Sequence, residues 1–141
     1  MRRGKVKRDA KLQLLGGVPL FAGCSKADLR WVAGATGEEA FAAGDAVIRE
    51  GEPGFDFFVI AAGEAEVRRD GRTVNTMGQG DFFGEIALVA EVPRTATVVA
   101  RTDLVLLTIT DLDFRDLVMD QPSIARNVLR SLGERIAADA S

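Results

Sequence analysis

An acid and an arginine near the middle of the chain are spaced in a way that suits a phosphorylated sugar. Glu85 follows Gly84 directly, and Arg94 stands nine positions further on, straight after Pro93. A guanidinium can hold a phosphate through two parallel charge-assisted hydrogen bonds. A carboxylate only accepts hydrogen bonds, so beside an anion it would serve a donor such as a sugar hydroxyl. The pair therefore indicates a ribose phosphate site.

The segments around this pair have the local structure that an anion site needs. Residues 86–88 are long enough for one helical turn, and such a turn presents unpaired N–H groups and a positive dipole end. Pro93 fixes the backbone ahead of Arg94, and residues 95–98 have the β-branched composition of a strand. Taken alone, an acid and an arginine in one loop could also form a structural ion pair.

The stretch 83–98 resembles the phosphate-binding cassette of the cyclic nucleotide-binding domains. These domains occur in the catabolite activator protein, in cyclic-AMP-dependent kinase regulatory subunits and in cyclic-nucleotide-gated channels. Their cassette has the form F-G-E-x-A-L, a short spacer, and R-[TA]-A-[TS]-V. This chain carries Phe83-Gly84-Glu85-Ile86-Ala87-Leu88 and then Arg94-Thr95-Ala96-Thr97-Val98. The match is ordered and much more specific than a lone glycine motif, and the resemblance covers roughly residues 15–136.

The resemblance implies a ligand, cyclic AMP or cyclic GMP, and a role for each cassette residue. Glu85 would bind the ribose 2′-hydroxyl, and Thr95 would bond a phosphate oxygen or the base. Val67 lies where the family has an apolar wall for the base, although core packing explains it equally well. The cyclic phosphate would be held by Gly84, Ile86, Ala87 and Arg94. The expected ligand-binding set is Phe83, Gly84, Glu85, Ile86, Ala87, Arg94, Thr95 and Val67.

Short apolar runs separated by turn residues predict a mainly β fold between residues 37 and 109. Asp70-Gly71 is a strong signal for a two-residue hairpin turn. About eight short strands at even spacing predict a β-sandwich or jelly roll. The resemblance implies an eight-stranded jelly-roll β-barrel with helices at both ends. Strand-like segments are Phe41, Val47-Ile48, 57–62, 65–69, 72–77, 95–100 and 104–109.

Turn glycines precede two of these strands. Gly51, Gly54 and Gly63-Glu64 stand where the family keeps turn residues, and we interpret them as turn geometry alone. Phe55 replaces a small acidic residue that is common in the family, so this loop could be shaped differently.

Helical patterns flank the strands. Residues 8–15 predict a short helix, and Ser25 would cap a second helix in which Trp31 anchors the core. Thr110 or Asp111 would cap a third, and Pro122 would begin the last. The last helix has an apolar stripe that either packs on the barrel or also closes over the nucleotide as a lid. The candidate lid residues are Leu129, Leu132 and Arg130.

Composition excludes several kinds of chemistry. The 141 residues fit one globular domain, and no apolar run approaches the length of a membrane span. The chain has no histidine, which excludes histidine-based catalysis and leaves no ordinary zinc site; Cys24 alone cannot form an intrachain disulfide. The start lacks the apolar region of a secretory signal, so we expect a cytoplasmic protein.

Charge divides the chain into a basic tail and an acidic domain. Residues 1–8 carry five basic side chains and no acid, so the rest must carry −8 to give the net −3. We predict a flexible tail over residues 1–10 and a binding domain over 11–141. The tail could also contact nucleic acid, anionic lipid or the acidic domain itself. The acidic domain argues against direct DNA binding.

These observations predict a cyclic nucleotide sensor rather than an enzyme, with no metal cofactor. Nucleotide binding would move the C-terminal helices. This movement would pass the signal to an effector protein or output domain that the sequence does not identify. Pairing of two copies through the last helix is a further expectation. The alternative is a regulatory scaffold of the same fold that acts through protein contacts without nucleotide.

Overall fold

The computed structural model describes residues 6–84 and 93–140. Within these residues eight strands lie between two groups of helices. The N-terminal helices are α1 (Arg8–Gly16) and α2 (Lys26–Ala35), joined through a 3₁₀ turn (Pro19–Phe21), and the C-terminal helices are α3 (Asp111–Asp120) and α4 (Pro122–Ala140). The strands are β1 (Gly37–Phe41), β2 (Ala46–Ile48), β3 (Phe57–Ala62), β4 (Ala65–Arg69), β5 (Arg72–Met77), β6 (Phe82–Phe83), β7 (Thr97–Ala100) and β8 (Leu104–Ile109).

The strands form two antiparallel four-stranded sheets, which confirms the predicted eight-stranded fold. One sheet has the order β1-β8-β3-β6 and the other has the order β2-β7-β4-β5. The pairing among the described residues leaves two sheets rather than a closed barrel. Apolar residues of both sheets meet in one buried cluster between them, so the sheets are the two layers of a jelly roll.

Strand β3 is apolar along its length because both of its faces are covered. It lies between β8 and β6. Phe58 and Ile60 belong to the cluster between the sheets. Phe57 and Val59 belong to a second cluster, here called the helical cluster, which the same sheet forms with α1, α2, α3 and α4. The alternation of side chains along a strand therefore makes β3 the wall between the two cores.

The predicted hairpin is confirmed. Asp70 and Gly71 have φ angles of 52° and 78°, which are the two positive values that a type I′ turn requires. Arg69 pairs with Arg72 across this turn. The turn residues thus set the register of β4 and β5.

Local signals also fix the helix ends. Ser25 accepts a hydrogen bond from the Asp28 N–H at 3.1 Å, and Asp28 accepts one from the Ser25 N–H, which is a capping box. Thr110 caps α3 by accepting from the Asp113 N–H at 3.2 Å. Helix α1 begins at Arg8, inside the segment 1–10 that we predicted as a tail. Residues 1–5 of that tail lie outside the described residues.

One expectation for the core is wrong. Trp31 does not anchor α2, because its side chain is 42% exposed. The face of α2 that packs on the helical cluster carries Leu29, Val32 and Ala33 instead. These three positions follow the spacing of one helix face, and Trp31 lies off that face.

Candidate functional site

Arg94 is the centre of the candidate site, and its guanidinium is held by main-chain oxygens of two other segments. The residue is only 7% exposed. Its Nη2 donates to the Asp56 carbonyl oxygen at 2.9 Å, and its Nη1 donates to the Gly84 carbonyl oxygen at 3.4 Å. A buried guanidinium oriented in this way is a fixed positive charge that suits an anion.

The main chain of Arg94 is paired as well. Its N–H donates to the Glu52 carbonyl at 2.9 Å, and its carbonyl accepts from the Gly51 N–H at 2.8 Å. Next to this pair, the Glu50 N–H donates to Thr97 Oγ1 at 2.9 Å. The turn before β3 therefore fixes both the backbone and the side chain of Arg94. Strand β7 begins at Thr97, two residues later than the sequence predicted.

Glycines on two sides leave room for the guanidinium. A Cβ on Gly54 would contact Arg94 Nε directly and would lie 2.7 Å from its Cζ. A Cβ on Gly84 would lie 3.1 Å from Arg94 Nη1 and 2.8 Å from the Asp56 carbonyl oxygen. Gly84 also has a φ of +87°, which L side chains rarely adopt.

The interpretation of Gly54 as turn geometry is therefore wrong. Gly51 has a φ of +84° with open space around it, so the backbone conformation of the turn explains that glycine. Gly54 is not in the left-handed region, and the close approach of Arg94 is what excludes a side chain there. Gly63 combines a φ of +94° with close contact to the Asp103 carbonyl oxygen.

Two stacked aromatic rings lie beneath the arginine. The Cζ atom of Arg94 is 6.0 Å from the centroid of the Phe58 ring, within the range of a cation–π interaction. Phe58 stacks on Phe83 with ring centroids 5.0 Å apart. Phe83, which we expected to contact the ligand, is 5% exposed and belongs to the core between the sheets.

Asp56 links this site to the C-terminal helices. It directly precedes β3, whose Phe57 pairs with Ile109 at the end of β8, so it lies beside the start of α3. Burial raises the pKa of the Asp56 carboxyl, the Arg94 guanidinium opposes that rise, and the Asp111 carboxylate adds to it. The pKa of Asp56 therefore depends on the charge of Arg94 in the site and on the charge of Asp111 at the start of α3.

The other candidate residues are spread over three parts of the chain. Thr95 follows Arg94 and is exposed, whereas Val67 is half-buried against the cluster between the sheets. On α4, Leu129 is 69% exposed and Arg130 is exposed. Glu85, Ile86 and Ala87 lie outside the described residues, as does the side chain of Leu132.

Sequence reasoning missed three contributors to the site: Gly54, Phe58 and the carbonyl of Asp56. The signal for Gly54 was present, because the turn needs only one left-handed glycine, Gly51, and yet has another glycine three residues later. A carbonyl oxygen leaves no comparable signal in a sequence.

In 6–84 and 93–140, no group of three or more His, Cys, Asp or Glu side chains could hold a metal ion. No helix in the same part of the chain is long and apolar enough to cross a membrane.

Comparison with known proteins shows which family this chain resembles. A family model described as the cyclic nucleotide-binding domain matches residues 38–121. The cAMP-dependent protein kinase regulatory subunit of Schizosaccharomyces pombe is 39% identical over 119 residues, which cover 84% of this chain and 29% of that protein. A cyclic nucleotide-gated potassium channel of Rhizobium etli is 37% identical over 123 residues, covering 87% of this chain and 34% of the channel.

A solved structure agrees with these relatives. The regulatory domain of Toxoplasma gondii PKA, crystallised with cAMP, superimposes with a TM-score of 0.76 at 30% identity and covers 84% of this chain and 47% of that one. This chain spans about a third of the length of the curated relatives described above. The family model covers more than half of the chain, so the chain belongs to the cyclic nucleotide-binding domain family.

Proposed function

We propose that this chain binds a cyclic purine nucleotide, cyclic AMP or cyclic GMP, and acts as a sensor of it. The observation that carries the proposal is the Arg94 guanidinium, which is 7% exposed and oriented by carbonyl oxygens of Asp56 and Gly84. Orienting a charge before the ligand arrives reduces the ordering cost of binding. The similarity to a cyclic nucleotide-gated channel and to a regulatory domain crystallised with cAMP supports the same ligand class.

In this proposal different residues of the cassette bind the phosphate and the ribose. Arg94 binds the cyclic phosphate with main-chain groups of Gly84, Ile86 and Ala87, and Glu85 accepts from the ribose 2′-hydroxyl. Thr95 is exposed next to Arg94 and can bond a phosphate oxygen or the base. One such hydrogen bond gives modest discrimination between the two nucleotides, within about tenfold. Val67 supplies apolar contact from β4.

We infer that the signal leaves through the C-terminal helices. Asp56 accepts from Arg94 and lies beside the start of α3, which offers a short route from the phosphate to the helices. Leu129, Arg130 and Leu132 of α4 would close over the nucleotide. Closure is a population shift, and the ratio of the ligand affinities of the two arrangements sets how far the equilibrium between them can move.

A second candidate function is a scaffold of the same fold that works through protein contacts without nucleotide. The observation that favours it is the exposure of apolar side chains on α3 and α4: Leu112, Met119 and Leu129 are 65%, 82% and 69% exposed. The same side chains would serve a sensor as contacts with an effector, an output domain or a second copy. Both candidates are regulatory binding modules without catalysis or metal, for which we propose a cytoplasmic site of action and no direct DNA binding.

Calorimetric titration of the purified chain separates the two candidates. We expect cyclic AMP or cyclic GMP to bind with a Kd below about 0.1 mM, and 5′-AMP, which lacks the cyclic phosphate, to bind at least about tenfold more weakly. Absence of binding by both cyclic nucleotides would reject the sensor and leave the scaffold.

A further inference from the structure

The turn between β2 and β3 contains a glycine that the backbone does not require. Gly54 is outside the left-handed region, so any L residue could adopt its conformation. Gly51, three residues earlier, already supplies the positive φ that the turn needs. A second glycine that adds conformational entropy to the unfolded chain calls for another physical reason.

The reason is the space next to Gly54. The three heavy atoms nearest to a Cβ at this position are Nε, Cζ and Nη2 of Arg94, with Cζ at 2.7 Å and Nη2 at 2.8 Å. All three belong to the charged group and none to the aliphatic stem. The backbone of Gly54, which carries no side chain, therefore forms one side of the space that the guanidinium occupies.

The other walls prevent a simple adjustment. The guanidinium donates to the carbonyls of Asp56 and Gly84, and the Arg94 backbone is paired with Glu52 and Gly51. An added methyl group at Gly54 would displace the guanidinium. Its hydrogen bonds to the carbonyl oxygens of Asp56 and Gly84 would then become longer. Because an arginine side chain has several rotatable torsions, a change of its rotamer disturbs the fold less than moving the turn would.

We propose that Gly54 is a positioning residue of the anion site: the absence of its side chain sets where the Arg94 guanidinium lies. The consequence for ligand binding rests on the proposed function. Two parallel hydrogen bonds to a phosphate need a fixed fork, so a displaced guanidinium keeps its charge and loses its geometry. Gly54 thereby acts on affinity through Arg94, without touching the nucleotide.

The test compares three alanine variants in calorimetric titration with cyclic AMP. We expect Gly54→Ala to weaken binding about tenfold or more while lowering the melting temperature only slightly. Gly44→Ala introduces left-handed strain in the turn before β2, which holds no part of Arg94, and has open space around its Cβ, so it should lower the melting temperature and leave the Kd within about twofold. Gly78→Ala, with no neighbour within 4 Å and no left-handed φ, should change neither.

A double-mutant cycle with Arg94→Lys shows whether the effect passes through the guanidinium. Lysine has no planar head to collide with the added methyl group, so Gly54→Ala should cause no further loss of affinity in the Arg94→Lys background. An equal loss in both backgrounds would overturn the proposal. If Gly54→Ala fails to fold, recovery of folding in the double variant supports the steric contact, and failure of both overturns it.

A measurement without nucleotide keeps this proposal separate from the proposed function. The Nε–H cross-peak of Arg94 in a ¹⁵N–¹H spectrum is identified by its loss in Arg94→Lys. We expect that peak to shift in Gly54→Ala and to stay in place in Gly78→Ala. An unmoved peak in Gly54→Ala overturns the positioning role, whether or not the parent binds cyclic AMP. A parent that binds no cyclic nucleotide overturns the proposed function, and the peak alone then decides the role of Gly54.

Discussion

The guanidinium of Arg94 and the outer face of α4 are the two ends of the proposed signal. The first is buried and hydrogen-bonded, and the second is exposed. Arg94 is 7% exposed and is fixed by groups from two other segments of the chain. On α4, Leu129 is 69% exposed, and Arg130 next to it is exposed as well. In the proposed function, ligand recognition would therefore depend on groups already in position, whereas the readout would depend on side chains that are still available for contact.

The first half of α4 is held more firmly than its outer face. Ile124 is fully buried in the helical cluster with Leu20 and Phe21 of the 3₁₀ turn. Asn127 is 9% exposed, and its side-chain amide donates to the Ala22 carbonyl. The beginning of α4 is thus attached to the N-terminal helices, and a lid movement must either carry those helices along or begin beyond Asn127.

The largest effect that we expect comes from breaking this attachment. Ile124→Ala removes a fully buried side chain, so it should lower the free energy of unfolding by about 2–5 kcal/mol. Leu129→Ala on the exposed face of the same helix is the matched control and should stay within about 0.5 kcal/mol. Urea denaturation measures both. Equal losses for the two variants would show that α4 packs by a different face.

The next effect concerns the other side of the comparison. Arg94→Lys keeps the positive charge but loses the planar fork, so it should weaken cyclic AMP binding at least about tenfold, or about 1.4 kcal/mol. Arg101→Lys changes an arginine that is 54% exposed and should leave the Kd unchanged within error. Glu85→Gln should weaken binding less than Arg94→Lys. If Arg94→Lys binds as tightly as the parent in titration, the phosphate site lies elsewhere.

The fold could be predicted from sequence because its signals are local. Asp70-Gly71 requires a tight hairpin, Ser25 with Asp28 and Thr110 with Asp113 form helix caps, and each of these depends on residues within a few positions. The exposure of Trp31 could not be predicted in the same way, because a large apolar residue fits either face of a short helix. Only packing against the helical cluster decides which face of α2 is buried.

The candidate site was predictable in part, for a related reason. Arg94 stands in a motif whose residues are close in sequence, and its guanidinium donates to the carbonyl oxygen of Gly84, another residue of that motif. Its contacts with Gly54 and Asp56 join segments about 40 residues apart and use a missing side chain and a carbonyl oxygen. The second glycine of the turn signals that a side chain is excluded there but not which atoms exclude it, and a carbonyl oxygen has no side-chain chemistry that a sequence pattern can reveal.

Amide hydrogen exchange compares the two regions in one experiment. With saturating cyclic AMP we expect slower exchange across residues 83–95 and across residues 123–136, because closure of α4 over the nucleotide would protect its amides. The increase should be greater beyond Asn127, since the first half of α4 is already attached to the 3₁₀ turn. Protection limited to residues 83–95 would show that α4 only packs, and that the signal leaves by another route.

The smallest effect that we expect tests the link between the two regions at Asp56. Burial and the Asp111 carboxylate raise the pKa of Asp56 despite the opposing Arg94 guanidinium, so the folded protein holds this proton more tightly than the unfolded chain does. Between the ordinary value of about 3.9 and the raised value, the folded state binds more protons, and the contribution of Asp56 to stability falls as the pH rises.

Removing this charge should therefore stabilise the protein at neutral pH. We expect Asp56→Asn to raise the free energy of unfolding at pH 7 by less than about 1 kcal/mol, because Asp56 is only half-buried and solvent screens its charge. The gain over the parent should shrink as the pH falls through the raised pKa, where the parent carboxyl becomes neutral as well. Asp116→Asn removes one charge from an exposed position on α3 and gives the baseline for the change in net charge. Urea denaturation at several pH values between 7 and 4 measures the difference, and a gain that grows as the pH falls would mean that the Asp56 carboxylate stabilises the fold and that Arg94 dominates its surroundings.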